Sequence, residues 1–322
     1  MTVLLLSEHD VRALLDMESC IDAMADVLAS LARGELFQPL RSVARPPDGA
    51  GLMGLMPAHR SGTAAAYALK EIVVTPDNPG RGLDAHQGAV LLHDGETGRL
   101  VALLNASPVT EIRTAAVSAV ATRALARPGA ERVAILGAGV QARSHVQAMR
   151  AVLEDPEIRI WSRRAEAAGE LAADVGAVVA PSVDAALFGA EIVCTTTSAR
   201  EPVVERRWLA PGAHVNAVGS SIPSTRELDT ETVAGSSFFV DRRESALNEA
   251  GDYLLAAAEG AIGPEHIRAE LGEVLAGMHP GRERDDELTV FKSLGIAVED
   301  LASAELVVRR AREQGVGTEV DF

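Results

Sequence analysis

Cysteine, lysine and aromatic side chains are all scarce in this 322-residue chain, and each scarcity excludes something. Cys20 and Cys194 are the two cysteines and stand in no paired spacing, so neither a disulfide framework nor a cysteine metal knuckle is expected. Both read as core residues of a protein in a reducing compartment, and no metal site is expected. No run approaches the roughly 18 uncharged apolar residues of a membrane span. The opening MTVLLLSEHD lacks the basic start and cleavage site of a signal peptide, which leads us to expect a soluble cytoplasmic protein with no membrane partner. With 30 basic residues against 46 acidic ones, the formal charge of −16 opposes nucleic acid and acidic lipid, so no nucleic-acid partner is expected either. Of the basic residues only Lys70 and Lys292 are lysine. A drift toward arginine has spared two positions, by chance or because lysine, unlike arginine, can lose its proton when buried.

The chain does have enough apolar residues, 47%, to fill two cores, and its length favours two domains. Two amphipathic helical patterns (8–15 and 18–33) precede four strand-like runs at 52–56, 67–74, 88–92 and 100–105, the last two joined by a hairpin loop at 93–98. The stretch 75–82 is too rich in Pro and Gly for regular structure. An alanine-rich helix (108–126) runs to a stop at Arg127-Pro128-Gly129. Beyond it, strand-like runs at 133–136, 158–161, 177–179, 192–195 and 214–218 are separated mainly by helical segments, as in parallel sheets covered on both faces. A strand at 238–241, one helix at 245–259, a strand at 288–291 and an amphipathic helix at 297–314 complete the pattern. The expected fold class is α/β.

Gly137-Ala138-Gly139-Val140-Gln141-Ala142 follows the apolar strand 132–136 and opens a helix, the context in which G-x-G-x-x-A binds a dinucleotide. Gly137 permits the tight turn, Gly139 lets backbone approach the pyrophosphate, Ala142 allows close packing, and the helix N-terminus offers N–H groups to phosphate. At the end of the second strand, where an NAD enzyme usually carries an acid, stand Ser162-Arg163-Arg164. Their chemistry suits a 2′-phosphate, so NADPH is the expected cofactor and NADH the alternative. Thr195 to Ser198, with Thr196 and Thr197, and Val218-Gly219-Ser220-Ser221 end the fourth and fifth strands, where they either border the nicotinamide or cap helices.

In collinear order the chain carries QPLRSV, GLMPAH, PGRGLDAHQG, EIRTAAVSA, ILGAGVQARSH, GAHVNAVGSS, ELGEVLAG and VFKSLGIAVEDL. Through these it resembles the ornithine cyclodeaminase/mu-crystallin family over nearly its whole length. The resemblance implies a Rossmann-type doubly wound domain (119–296) inserted into an α+β substrate-binding and dimerisation domain (1–118 plus 297–322), and a homodimer. It places Arg41 and Arg113 on a substrate α-carboxylate, which guanidinium forks hold bidentately. It also places Lys70 and Leu294 at the substrate, and Thr114 and Ser293 at the cofactor. Lys70 could then protonate a substrate nitrogen, if burial and Arg113 lower its pKa. His86 matches a histidine of the mu-crystallin branch beside the substrate, where it relays a proton or hydrogen-bonds the cofactor.

At Ser221 the cyclodeaminase branch has an aspartate that serves as acid-base group, a role serine cannot fill at neutral pH. That branch also ends the second strand with aspartate where this chain has Arg163. Both departures point to the mu-crystallin branch. The expected activity is therefore reduction of a cyclic ketimine carboxylate, such as pyrroline-2-carboxylate or piperideine-2-carboxylate, to the cyclic L-amino acid. In that reading Lys70, His86 and Ser221 serve catalysis. The alternatives are an ornithine cyclodeaminase or L-alanine dehydrogenase, and an NADPH-retaining ligand-binding protein of mu-crystallin type. The loops at 45–51 and 222–226 are expected to shape the pocket.

Overall fold

In the computed structural model, described for residues 2–47 and 51–322, the chain forms two compact units. One comprises Met1–Arg113 with Ile296–Phe322, and the other Thr114–Gly295. Of the loop at 45–51, residues 48–50 lie outside the described residues. In chain order the elements begin with β1 (Thr2–Leu6), α1 (Glu8–Leu14), α2 (Met17–Ala32), β2 (Leu36–Phe37), β3 (Ser42–Ala44), β4 (Leu52–Arg60), β5 (Ala66–Val74), β6 (His86–Asp94) and β7 (Leu100–Asn105). Then come α3 (Ala106–Leu125), β8 (Arg132–Leu136), α4 (Val140–Val152), β9 (Glu157–Trp161), α5 (Ala165–Val175), β10 (Val178–Val179), α6 (Val183–Leu187), β11 (Ile192–Thr195) and β12 (His214–Ala217). The chain closes with α7 (Thr230–Ala234), β13 (Ser237–Val240), α8 (Arg243–Glu249), α9 (Gly251–Ala258), β14 (Ile267–Glu270), α10 (Leu271–Leu275), β15 (Thr289–Lys292), α11 (Ala297–Gln314) and β16 (Thr318–Asp321).

The first unit is built on one mixed sheet in the order β16-β1-β7-β6-β5-β4-β2, with β3 also on β4. β4 to β7 form an antiparallel meander, while β1 joins β7 in parallel. Side chains alternate between the faces of a strand. On β5 this buries Ala66, Ala68 and Lys70 and exposes Tyr67 and Val73. The buried face packs against α11, which also contacts α2. α11 is buried along most of its length, its buried residues including Glu299, Asp300 and Ser303, and it stops at Gly315, whose φ of +66° suits the left-handed cap. Upstream, Ser7 and Asp10 form a capping box on α1, and the Asp16 carboxylate accepts from Ser19 N–H at 2.9 Å to start α2.

The second unit carries eight parallel strands in the order β10-β9-β8-β11-β12-β15-β13-β14. Strand order reverses between β8 and β11, the switch point beside which ligands of such sheets bind. Fully buried strands such as Ile192–Thr195 read as continuous apolar runs, which is the mark of a sheet covered on both faces.

Three sequence expectations need correction. The single helix expected at 245–259 is two, α8 and α9, broken at Ala250. There Gly251 lies so close to the loop 222–225 that a Cβ would stand 1.9 Å from the Thr225 carbonyl oxygen. The Pro/Gly stretch at 75–82 includes a short 3-10 turn, Asn78–Arg81, held partly by Asn78 Nδ2 donating to the Asp84 carbonyl at 3.0 Å. The strands β1, β2, β3, β14 and β16 lie outside the expected strand runs: β2 and β3 are two and three residues long, too short for a periodic pattern, and β14 and β16 mix charged and apolar residues and depend on their neighbours for pairing.

Candidate active site

Lys70 stands at a position where the period-2 pattern of β5 calls for an apolar side chain, and it is 1% exposed. A charge so placed needs a partner. The partner is Asp300 in the first turn of α11, whose Oδ1 and Oδ2 lie 2.9 and 2.8 Å from Lys70 Nζ. Arg113, on α3, brings Nε to within 3.1 Å of Asp300 Oδ1 and Nη1 to within 2.8 Å of Glu299 Oε2. The side chains of Arg113, Glu299 and Asp300 are each no more than 5% exposed. Four ionisable groups from a strand and two helices thus share one buried cluster.

Desolvation is the largest influence on Lys70 and brings its pKa down to about 8. Asp300 opposes the fall, while Arg113 and Arg41 add to it, so Arg41 is close enough to act on the same ammonium. His86 starts β6, opposite Val74 in the register, and its ring is exposed at the surface. Enough protein still surrounds the ring for desolvation to lower its pKa, Asp84 opposing and Lys70 assisting. The His86 backbone is fixed by Asp84, which accepts its N–H at 3.0 Å, and by Ser107, which donates to its carbonyl at 2.8 Å. The structure therefore gathers Arg41, Lys70 and Arg113 in the first unit, with His86 electrostatically coupled to Lys70. Sequence reasoning missed Asp300 and Glu299. Their position in a first helical turn disguises them as ordinary dipole partners, and no local feature of the sequence marks them as buried.

In the second unit, Gly137 has φ +130°, and a Cβ there would stand 2.5 Å from Thr196 Oγ1. Gly139 caps α4 without a side-chain hydrogen bond and faces open space, leaving the first N–H groups of α4 accessible to an anion. Val140, Gln141 and Ala142 follow in the first turn of that helix, and Ala142 is fully buried. Ala138 completes the turn. Beyond β9, Ser162 Oγ accepts the Arg164 N–H at 3.4 Å, and Arg163 and Arg164 are exposed. Thr114 and Ser293 are buried, the latter donating its backbone N–H to the Ala217 carbonyl at 3.0 Å. Asp241 Oδ2 accepts from Leu294 and Gly295 N–H at 2.6 and 2.8 Å, which fixes the backbone of Leu294. Ser221 is half-buried, and its neighbour Ser220 is the serine that ties the 220–225 loop, through Thr225. Cys20 and Cys194 are buried, and burial pushes both thiols up to about 12, which leaves them inert. No helix among the described residues is long and apolar enough to cross a membrane.

Residues 1–315 match the ornithine cyclodeaminase/mu-crystallin family. The ketimine reductase mu-crystallin of Mus musculus is 41% identical over 292 residues, covering 89% of this chain and 90% of that protein. Among solved structures, Δ1-pyrroline-2-carboxylate reductase of Thermococcus litoralis, in complex with NADH and L-proline, has a TM-score of 0.94 at 36% identity. The match covers 99% of this chain and 100% of that one. An archaeal alanine dehydrogenase dimer with bound NAD has a TM-score of 0.94 at 32% identity, with both chains fully covered.

Removing one partner of a buried ion pair typically costs about 3–5 kcal/mol, so Asp300→Asn should lower stability by that order. The pH dependence identifies the cause. With its counter-ion gone, Lys70 takes up its proton only at still lower pH, whereas the unfolded lysine binds it up to the ordinary lysine range. The stability deficit of the variant should therefore grow as pH falls below about 8 and shrink above it. Urea unfolding of both proteins on either side of that pH measures this, and a deficit independent of pH contradicts the assignment.

Proposed function

This chain belongs to the ornithine cyclodeaminase/mu-crystallin family, and on that premise we propose that it reduces a cyclic ketimine carboxylate to the cyclic L-amino acid with NADPH. The substrate is of pyrroline-2-carboxylate or piperideine-2-carboxylate type. The observation that carries the reading is the buried Lys70, poised with a pKa of about 8 among arginines suited to a carboxylate. The presence of Ser221 in place of an acid-base aspartate argues against ammonia loss.

The turn from Gly137 to Gln141 fits a dinucleotide, because α4 has no side-chain cap and the Gly139 position is open. Ser162, Arg163 and Arg164 hold the 2′-phosphate in this reading, while Thr114, Thr196, Thr197, Val218, Gly219 and Ser293 hold the remainder of the cofactor. When bound, the reduced nicotinamide supplies the hydride. Arg41 and Arg113 bind the α-carboxylate, and Leu294 contributes an apolar wall. Lys70 keeps the imine nitrogen protonated, so that the carbon beside it is electrophilic. His86, its pKa lowered, is neutral at pH 7 and can pass a proton on, and Ser221 hydrogen-bonds nearby.

The division of labour follows the two units: a Rossmann unit for the cofactor, and an α+β unit for the substrate and for pairing with a second copy. Pairing is supported by the outer face of the mixed sheet, where Phe37, Pro39, Pro57, Tyr67 and Leu69 line a groove of about 480 Å³ and Phe37 is 65% exposed. An apolar face of that kind is unusual on a monomer, and a relative is described as a dimer. The unpaired, buried cysteines suit a cytoplasmic setting.

NADPH absorbance should fall with pyrroline-2-carboxylate or piperideine-2-carboxylate and hold steady with ornithine. Loss of ammonia from ornithine would make the protein a cyclodeaminase, and NADPH binding without turnover of any ketimine would make it a ligand-binding protein. NADPH should be preferred over NADH by roughly tenfold or more, as expected for charge-assisted contacts to the 2′-phosphate. Lys70→Met should lower kcat by about 10²–10⁴ while sparing NADPH affinity, and unchanged turnover contradicts the proton-donor role. Sedimentation analysis should find a dimer, and a monomer at micromolar concentration removes the pairing proposal.

A further inference from the structure

The cofactor-side loops of the second unit converge on one buried carboxylate, Glu227, in the connection between β12 and α7. Its side chain is fully buried. Oε2 accepts from Thr195 Oγ1 at 2.6 Å and from Gly219 N–H at 2.7 Å. Oε1 accepts from both the N–H and the hydroxyl of Thr197, each at 2.7 Å. One carboxylate therefore ties the segment that follows β11 to the segment that follows β12. The contact is tight: a Cβ at Gly219 would stand 2.5 Å from Glu227 Oε1 and 2.1 Å from the Thr197 carbonyl oxygen.

Glu227 is itself held on every side. Its backbone carbonyl accepts from Val203 and Val204 N–H at 2.8 and 2.9 Å, and its N–H donates to Asp252 Oδ1 at 2.7 Å. Asp252 Oδ1 also accepts from Leu228 N–H at 2.9 Å, and its Oδ2 lies 2.9 Å from Lys292 Nζ. Lys292, the second of the chain's two lysines, is wholly buried at the end of β15 and is a counter-charge for Asp252 and, at longer range, for Glu227. Four donors on two oxygens are what a carboxylate satisfies and an amide does not, because an amide presents N–H where Gly219 also presents N–H.

We propose that Glu227 is the positioning residue of the nicotinamide side, fixing the strand-end segments 195–197 and 218–221 at a single separation, with the buried Lys292–Asp252 pair as its foundation. This rests on the reading above that Thr196, Thr197, Val218 and Gly219 border the nicotinamide. The hydrogen bonds of Glu227 run to Thr195, Thr197, Val203, Val204, Gly219 and Asp252, at the strand ends and beneath them, rather than to the phosphate-binding glycines or to the arginines at 163 and 164. The brace therefore acts on the orientation of the reacting end of the cofactor more than on its retention, and misplacement of a reacting group is felt mainly in the chemical step.

The test compares wild type with Glu227→Gln, which keeps the shape but sets two N–H donors against each other at Gly219. In the cofactor-free proteins, amide hydrogen exchange should quicken at 195–197 and 217–221 and stay unchanged at 137–142. NADPH affinity, read by fluorescence, should change by less than about threefold, while kcat falls by roughly tenfold or more. The kinetic isotope effect with NADPH deuterated at the transferred position should rise as hydride transfer becomes limiting. Thr195→Val, which removes one donor at nearly constant volume, should show the same pattern in smaller measure and serves if the glutamine variant does not fold. Equal kcat in both variants overturns the proposal. A parallel loss of affinity, activity and exchange protection across the whole unit also overturns it, because that is the signature of a merely structural residue. A wild type that binds NADPH but reduces no ketimine overturns the functional reading alone, since the exchange and affinity measurements still judge Glu227. A wild type that does not bind NADPH overturns both.

Discussion

The first unit is organised around a charge that water cannot reach. Lys70 sits on the buried face of a sheet strand, where its ammonium is stabilised because α11 delivers both oxygens of the Asp300 carboxylate to it, at 2.8 and 2.9 Å. Removing an ion from water costs several kcal/mol even after relaxation, so the pair constrains where α11 can lie on the sheet. Arg113 extends the constraint to α3 by bridging Asp300 and Glu299. A helix near the C-terminus is thereby tied to a strand and a helix far earlier in the chain, and the unit closes on itself through charge as well as apolar packing.

That arrangement has a chemical consequence. Desolvation alone would strip Lys70 of its proton, and Asp300 alone would hold the proton firmly. Together they leave a pKa of about 8, in the range where a group can give up and regain a proton under ordinary conditions. The second unit solves a related problem differently. Its buried acid, Glu227, faces four hydrogen-bond donors and serves geometry, and its lysine, Lys292, is paired with Asp252 beneath the strand ends. The two surviving lysines of an arginine-rich chain thus occupy two buried ion pairs, one in each unit.

The architecture was largely legible. Strand runs such as 100–105 and 192–195, and the helix 297–314, coincide with the observed elements because their periodicity is long or their apolar content continuous. The Rossmann turn declared itself through its strand-then-helix setting. What stayed hidden depends on tertiary contact. The break at Ala250 coincides with the approach of the 222–225 loop to Gly251, and β14 and β16 pair with β13 and β1. Within the site, Lys70 stood out by composition. Asp300, Glu299 and Glu227 did not, since nothing local distinguishes an acid on a helix or loop surface from one that folding will bury against a partner.

The central claim, that Lys70 is a buried lysine held near its titration point by Asp300, has a direct measurement. Because the chain contains two lysines, isotopic labelling of the lysine side chains yields two ammonium signals by NMR, one of which disappears in Lys70→Met. Followed as a function of pH in the ligand-free protein, the Lys70 signal should titrate near 8. A Lys70 signal that holds its proton up to the ordinary lysine range, about 10.4, would contradict the account.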